Sequence, residues 1–313
     1  MISTLALFAT LQPAHAAPQP DSAELAADVV GSMELEQTIT MKELGKKPRR
    51  KVELAPKAGA TASMELVSTT GMNMSIRGPD GTEMPMPGLG DMLPTTVMTV
   101  KNVVSDPVAD GLMPVTIEYV DVRVEGVEGE IKNQMMAGLQ PIKGLQFTML
   151  VAPDGRITQT DVSANDATYY EMIQSMADQY ANQLPIFPAE PIGVGAEWDV
   201  NMDMSVGGMA IQAVQKITVT DVTADAISMD YELEMQIGQD GMAIPGLPPG
   251  AEVDISKFSG KGSGAMVTDL GTMMSLGTMK MDMDIEMSVK AEGQNMSMSM
   301  DMSQTTEMRA VTE

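Results

Sequence analysis

From Met279 to Ser288 the chain reads MKMDMDIEMS, and from Met296 to Ser303 it reads MSMSMDMS. Every second residue is apolar. That period of two belongs to a β-strand, whose side chains alternate between opposite faces. Met279, Met281, Met283, Ile285 and Met287 therefore share one face, and Lys280, Asp282, Asp284 and Glu286 share the other. Met296, Met298, Met300 and Met302 repeat the arrangement against Ser297, Ser299 and Asp301. The intervening KAEGQN, with Gly293 at the turn, predicts a hairpin.

The same alternation runs through much of the chain. MELEQTITM from Met33 and SMELVSTTGMNMSIRG from Ser63 read as strands. So do the two runs flanking a turn at 106–111. GLQFTMLVAPDGRITQTDV reads as a hairpin turning at Pro153-Asp154-Gly155. One segment, 164–184, has helical spacing: Tyr169, Met172, Ile173, Met176, Tyr180 and Leu184 form an apolar stripe. Asn165 or Asp166 would cap it, and Pro185 would end it. Two matches at nearly one offset point to an internal repeat. Asp106 and Asp221 stand 115 residues apart in similar strand pairs, and Gly155 and Gly271 stand 116 apart in similar turns.

The fold expectation is a predominantly all-β protein. It has two related antiparallel β-rich halves, as curved sheets or half-barrels, with one amphipathic helix between them. The divisions are a signal peptide over 1–17, a lead-in over 18–30, a first half over 31–163, a linking helix over 164–185, a second half over 186–308 and a tail over 309–313. The signal peptide is read from the apolar run Leu5 to Leu11 and the small-x-small pattern Ala14-His15-Ala16. It predicts export to the periplasm or the medium. No run approaches the ~20 apolar residues of a membrane-spanning helix.

Composition narrows the function. The 313 residues carry a formal charge of -24, which disfavours nucleic-acid backbones and anionic lipid surfaces. There is no cysteine, so no disulfide and no thioether lipid anchor is expected. The sole histidine, His15, lies in the expected signal peptide. Ser-His-Asp and Cys-His catalysis and ordinary zinc sites therefore have no ligands to draw on. No calcium loop of the D-x-[DN]-x-[DN]-G type occurs. GVGAEW is not a dinucleotide fingerprint, and GKGSG at 260–264 is not a phosphate loop. The reading is a non-enzyme with no cofactor and no conventional metal site.

The methionines then become the question, for there are 34 of them against 3% aromatics. Thioether side chains are unbranched and adaptable, and they fill irregular cores. A whole face of them is soft enough to accept lipids or varied partners. Thioethers also prefer Cu(I) among metal ions. Three readings follow: an apolar-ligand, lipid or envelope-partner surface, a purely packed structural or assembly module, and a Cu(I)-binding protein. The first is preferred. Its ligand-face candidates are Met279, Met281, Met283, Met287, Met296, Met298, Met300, Met302 and Trp198. Its rim-loop candidates are Met84, Met86, Leu89 and Met92, in the Pro/Gly-rich stretch PDGTEMPMPGLGDMLP. Trp198, the sole tryptophan, also reads as a core anchor or barrel plug. The basic stretch KELGKKPRRKVEL, from Lys42, reads as a solvated hairpin tip or an anionic-partner site.

The run LPIFPAEPIGVGAEW carries a resemblance. Leu184-Pro185, Pro191, Ile192, Gly193, Val194, Gly195 and Trp198 match a segment of the form LP-x(n)-P-V-x-V-G-x-x-W, with Ile192 in a valine position. Together with the preceding helix and the later GKGSGAMVTDLGTM, it resembles bacterial exported proteins grouped by a domain of unknown function, DUF6263. The resemblance implies an envelope protein and transfers no catalytic residue.

Overall fold

The computed structural model describes residues 37–78, 82–85, 94–108, 111–162, 180, 184–206, 209–242, 252–291 and 294–311. The expected signal peptide and lead-in lie outside them. So does the expected linking helix, apart from Tyr180, Leu184 and Pro185.

The alternating runs form strands as their period requires. They are β1 (Gln37–Leu44), β2 (Thr61–Arg77), β3 (Glu83–Pro85), β4 (Thr95–Val104), β5 (Met113–Glu125), β6 (Gln146–Val151) and β7 (Ile157–Val162). After them come β8 (Ala196–Val206), β9 (Met209–Val222), β10 (Ala226–Met242), β11 (Glu252–Asp269), β12 (Ser275–Ala291) and β13 (Gln294–Ala310). All pairings are antiparallel within one 13-stranded sheet, in the order β1-β8-β9-β10-β11-β12-β13-β2-β4-β5-β6-β7, with β3 alongside β2. The sheet is not closed into a barrel. Both repeat segments are four-stranded meanders, β4 to β7 and β9 to β12. They are joined in one sheet through β13 and β2, and one apolar cluster contains residues from both.

A sheet of this width curls because its strands twist. Its inner face carries Ile117, Met149, Ile217, Ile227 and Met229, all fully buried. The gap between the two edges is occupied by chain rather than by strand pairing. Leu184 to Pro188 is buried throughout, and the Phe187 amide donates to the Asp154 carbonyl at 2.8 Å. Trp198 has no exposed surface and donates its Nε1 to the Ile186 carbonyl at 3.1 Å. Tyr180 stacks edge-on against Phe147 and accepts a hydrogen bond from Asn102 Nδ2. Burial pushes the Tyr119, Tyr180 and Tyr231 phenols up, so they stay neutral. Leu184, Ile186, Phe187 and Ile192 thus fill the interior from a segment that forms no strand.

Residues 45–60 cross one end of the sheet as a strap. Arg50 bridges to Ile192, the Leu54 amide reaches the Pro153 carbonyl at 2.7 Å, and Ala55 reaches Leu270 at 2.9 Å. The Val104 amide donates to Ala60 at 2.9 Å. The Arg50 guanidinium donates to the carbonyls of Thr223 and Ala224 in the β9–β10 turn. Part of the basic stretch is thus structural, since Arg49 also donates to Gly45, at 2.7 and 2.9 Å.

Helix α1 (Gly129–Leu139), which a 3-10 turn (Gln140–Ile142) extends, is not anticipated by the periodicity of its residues. Ile131, Met135, Met136 and Leu139 lay its apolar side on the core. Eleven residues opening on glycine produce too weak a stripe to stand out beside the strands.

On the outer face, Glu65 of β2 sits between Arg123 of β5 and Arg309 of β13, at 2.8 Å from each. Hydrogen bonds from Arg123 and then Arg309 hold its carboxyl below the ordinary value of 4.5. A depressed carboxylate stabilises the fold above its unfolded value, and that contribution disappears as pH falls through the folded value. Glu65→Gln should therefore destabilise the protein at pH 7, and the gap from wild type should close as the medium is acidified below 4.5. Urea denaturation across pH checks this; a gap that widens in acid would contradict it.

A second prediction concerns the interior segment. Gly155 has φ +90°, and a Cβ there would lie 2.1 Å from the Pro185 carbonyl oxygen. Gly59 has φ +79° with open space around it. Gly59→Ala should cost about 1 kcal/mol, for left-handed backbone alone. Gly155→Ala should cost about 3 kcal/mol, because backbone strain and clash add. Denaturation midpoints of the two variants measure the difference.

Candidate functional site

Four of the long strands, β2, β11, β12 and β13, run side by side, and the methionine alternation lies within them. Register fixes how the candidates meet. Met302 of β13 is opposite both Met283 of β12 and Met72 of β2. Met300 is opposite Ile285 and Met74, and Met298 is opposite Met287 and Ile76. Three rows thus cross three strands on one face, and only Ile285 and Ile76 interrupt the methionines. Sequence inspection identified the β12 and β13 members. It missed Met72 and Met74, although MNMS in β2 carries the same alternation.

In β11 glycine faces the buried end of this surface, whereas Phe258 lies opposite Ile285 and Ile255 opposite Met287. Gly260 pairs with Met283, and Gly262 with Met281. A Cβ on Gly260 would lie 2.4 Å from Met235 Cε. The missing side chains let Met235 and Leu233 of β10 approach from the side. This gives the GKGSG run its physical reason.

Exposure changes steadily along the face. Met308 and Met302 are 2% and 4% exposed, Met300 is 7% exposed, Met298 is half-buried and Met296 is 40% exposed. On β12, Met281, Met283 and Ile285 are buried, while Met279 and Met287 are half-buried. The face therefore begins in the core and emerges toward the β12–β13 turn. Trp198 is far inside the body and offers no surface. Met84 lies in β3 beside β2, where Ile76 is its partner. Met86, Leu89 and Met92 lie outside the described residues.

Among the described residues the inner face is closely packed. A residual space of about 10 Å³ remains among Met64, Tyr180, Leu184, Met273, Ser275 and Met308, too small for an organic ligand. A larger hollow of about 480 Å³ lies over the long strands. Its polar lining comes from two rows on the solvent side: Asn73, Asp301, Asp284 and Ser259, then Ser303, Asp282 and Lys261. Asp284 and Asp301 are directly opposed, an unfavourable pairing. Lys257 bonds Asp284 and lies 3.7 Å from Glu286, and its ammonium pKa is raised, chiefly by Asp284. The hollow offers carboxylate and hydroxyl oxygens beside the Lys261 ammonium. Among the described residues, no group of three or more His, Cys, Asp or Glu is arranged to hold a metal ion. No described helix is long and apolar enough to cross a membrane.

The residues of the LP…PIGVGAEW run have local work to do. Ile192 pairs with Arg50, and Trp198 holds Ile186. Gly193 admits the Lys46 carbonyl to where a Cβ would stand, 2.1 Å away. The chain matches no family model and none of the curated proteins.

The exposure gradient predicts an order of oxidation. Brief peroxide treatment should convert Met296 first, Met298 and Met287 next, and Met302 and Met281 last, as read by peptide mass mapping. Equal conversion along β13 would mean that the face is open over its whole length.

Proposed function

We propose that this is a non-enzymatic exported protein that takes an apolar ligand, a lipid or an envelope partner on the emerging end of its methionine face. The observation that carries the reading is the gradient along β13, from 4% exposure at Met302 to 40% at Met296. A core stripe built only for packing has no need to continue into solvent. Methionine suits a contact surface of varied occupants, since its side chain repacks at low cost. The body, with its space of about 10 Å³, acts as a rigid base for that surface. Membership of the DUF6263 group, an envelope location and the absence of catalysis belong to the same proposal.

A second reading, a structural or assembly module, is favoured by that same closely packed inner face. Native mass spectrometry of the protein from its own host, without detergent, separates the two. The proposal expects a co-purifying mass in the lipid range, or binding of a neutral apolar fluorophore. Met298→Asp should abolish that binding, with the denaturation midpoint little changed. A clean apo mass with no fluorophore uptake favours the structural module.

A further inference from the structure

We infer that Met72, Met302 and Met283 form a site for a single soft monovalent cation, Cu(I) or its analogue Ag(I). The three occupy one row on three adjacent hydrogen-bonded strands, with Met302 at the centre. Adjacent strands are about 4.8 Å apart, so the outer two backbones are separated by about 10 Å. Two unbranched side chains span that distance when both turn toward the central one. Each thioether has three rotatable bonds to do so, which a β-branched residue lacks.

The chemistry of the row is selective. Thioether sulfur is neutral and soft, so it holds Cu(I) and Ag(I) and gives little to Zn²⁺, Ca²⁺ or Mg²⁺. Met283 and Met302 are 7% and 4% exposed, which keeps competing water from the central position. Met72 is half-buried and gives the ion a way in. The next rows hold Met74 with Met300, and Met287 with Met298. Together they form a path of thioethers from the exposed Met296 inward. Nothing in this inference rests on the apolar-ligand reading. A protein that binds no lipid can still hold the ion, and one that binds lipid can lack it.

The test uses the full chain under argon, titrated with Cu(I) against a chromophoric Cu(I) chelator. Wild type should retain one equivalent. The triple variant Met72→Leu, Met283→Leu, Met302→Leu should lose it, since leucine keeps volume and removes sulfur. Met149→Leu with Met229→Leu, two fully buried methionines elsewhere in the body, should retain it. Surrender of all Cu(I) by wild type overturns the inference. So does full retention by the triple variant, or equal loss in the control. If the triple variant fails to fold, Ag(I) added to wild type decides by methionine methyl NMR. The inference expects shifts confined to Met72, Met283 and Met302. Shifts spread over the chain, or none, overturn it.

Discussion

Strand β13 lies against β2 without a break, from Ser297 opposite Arg77 to Ala310 opposite Met64. This pairing joins the last strand of the chain to one near its start, and with them the two meanders. Each meander alone would leave an edge strand unpaired and one apolar face uncovered. Joined, they give a sheet wide enough to curl over its own inner face. Glu65, gripped by Arg123 and Arg309, adds an ionic tie across the same seam, on the side away from the core. The apolar face and the salt-bridged face therefore reinforce one registration, since a slip of one residue would exchange them.

Curling leaves a gap, and the molecule fills it with irregular chain. Buried backbone must still find hydrogen-bond partners. The interior segment meets this need by borrowing from turns. Phe187 uses the Asp154 carbonyl, and the Ile186 carbonyl accepts from Trp198. The strap does the same at Pro153 and Leu270. An open sheet is thus completed by hydrogen bonds that no strand supplies. The remaining inner volume goes to aromatic rings and thioethers, which is why a chain with few aromatics concentrates Phe147, Tyr119 and Tyr180 in one place.

Strand identity was readable because the period of two is strict in runs such as MKMDMDIEMS, and one face of each such strand is buried. The β12–β13 hairpin and the β6–β7 turn at Pro153-Asp154-Gly155 follow from local residues alone. Pairing between distant strands was not readable. Nothing in QTITMKEL announces that β1 lies beside β8, because its partner is chosen by the curvature of the whole sheet. Helix α1 was missed, its stripe being short. Of the candidate surface, the alternating methionines were legible. The glycines that make room for them were visible only as a rejected phosphate loop, since their value depends on β10 and β12 alongside. Trp198 presented two readings in sequence, surface or plug, and its complete burial and its bond to Ile186 separate them.

The position of β1 has a consequence for the order of assembly. It is the first described strand in the chain, yet it completes the sheet beyond β8, more than 150 residues later. The strap and the 184–192 segment bind each other in the same region, so neither can settle before the other exists. During synthesis the N-terminal strand must wait, unpaired, until most of the chain has emerged. A topology of such distant contacts folds slowly. The edge of β8 stays open throughout that wait, and the growing chain is most vulnerable to wrong pairing there. Glu197 and Asp199 place acidic charge along β8, which makes that edge repel copies of itself until β1 arrives.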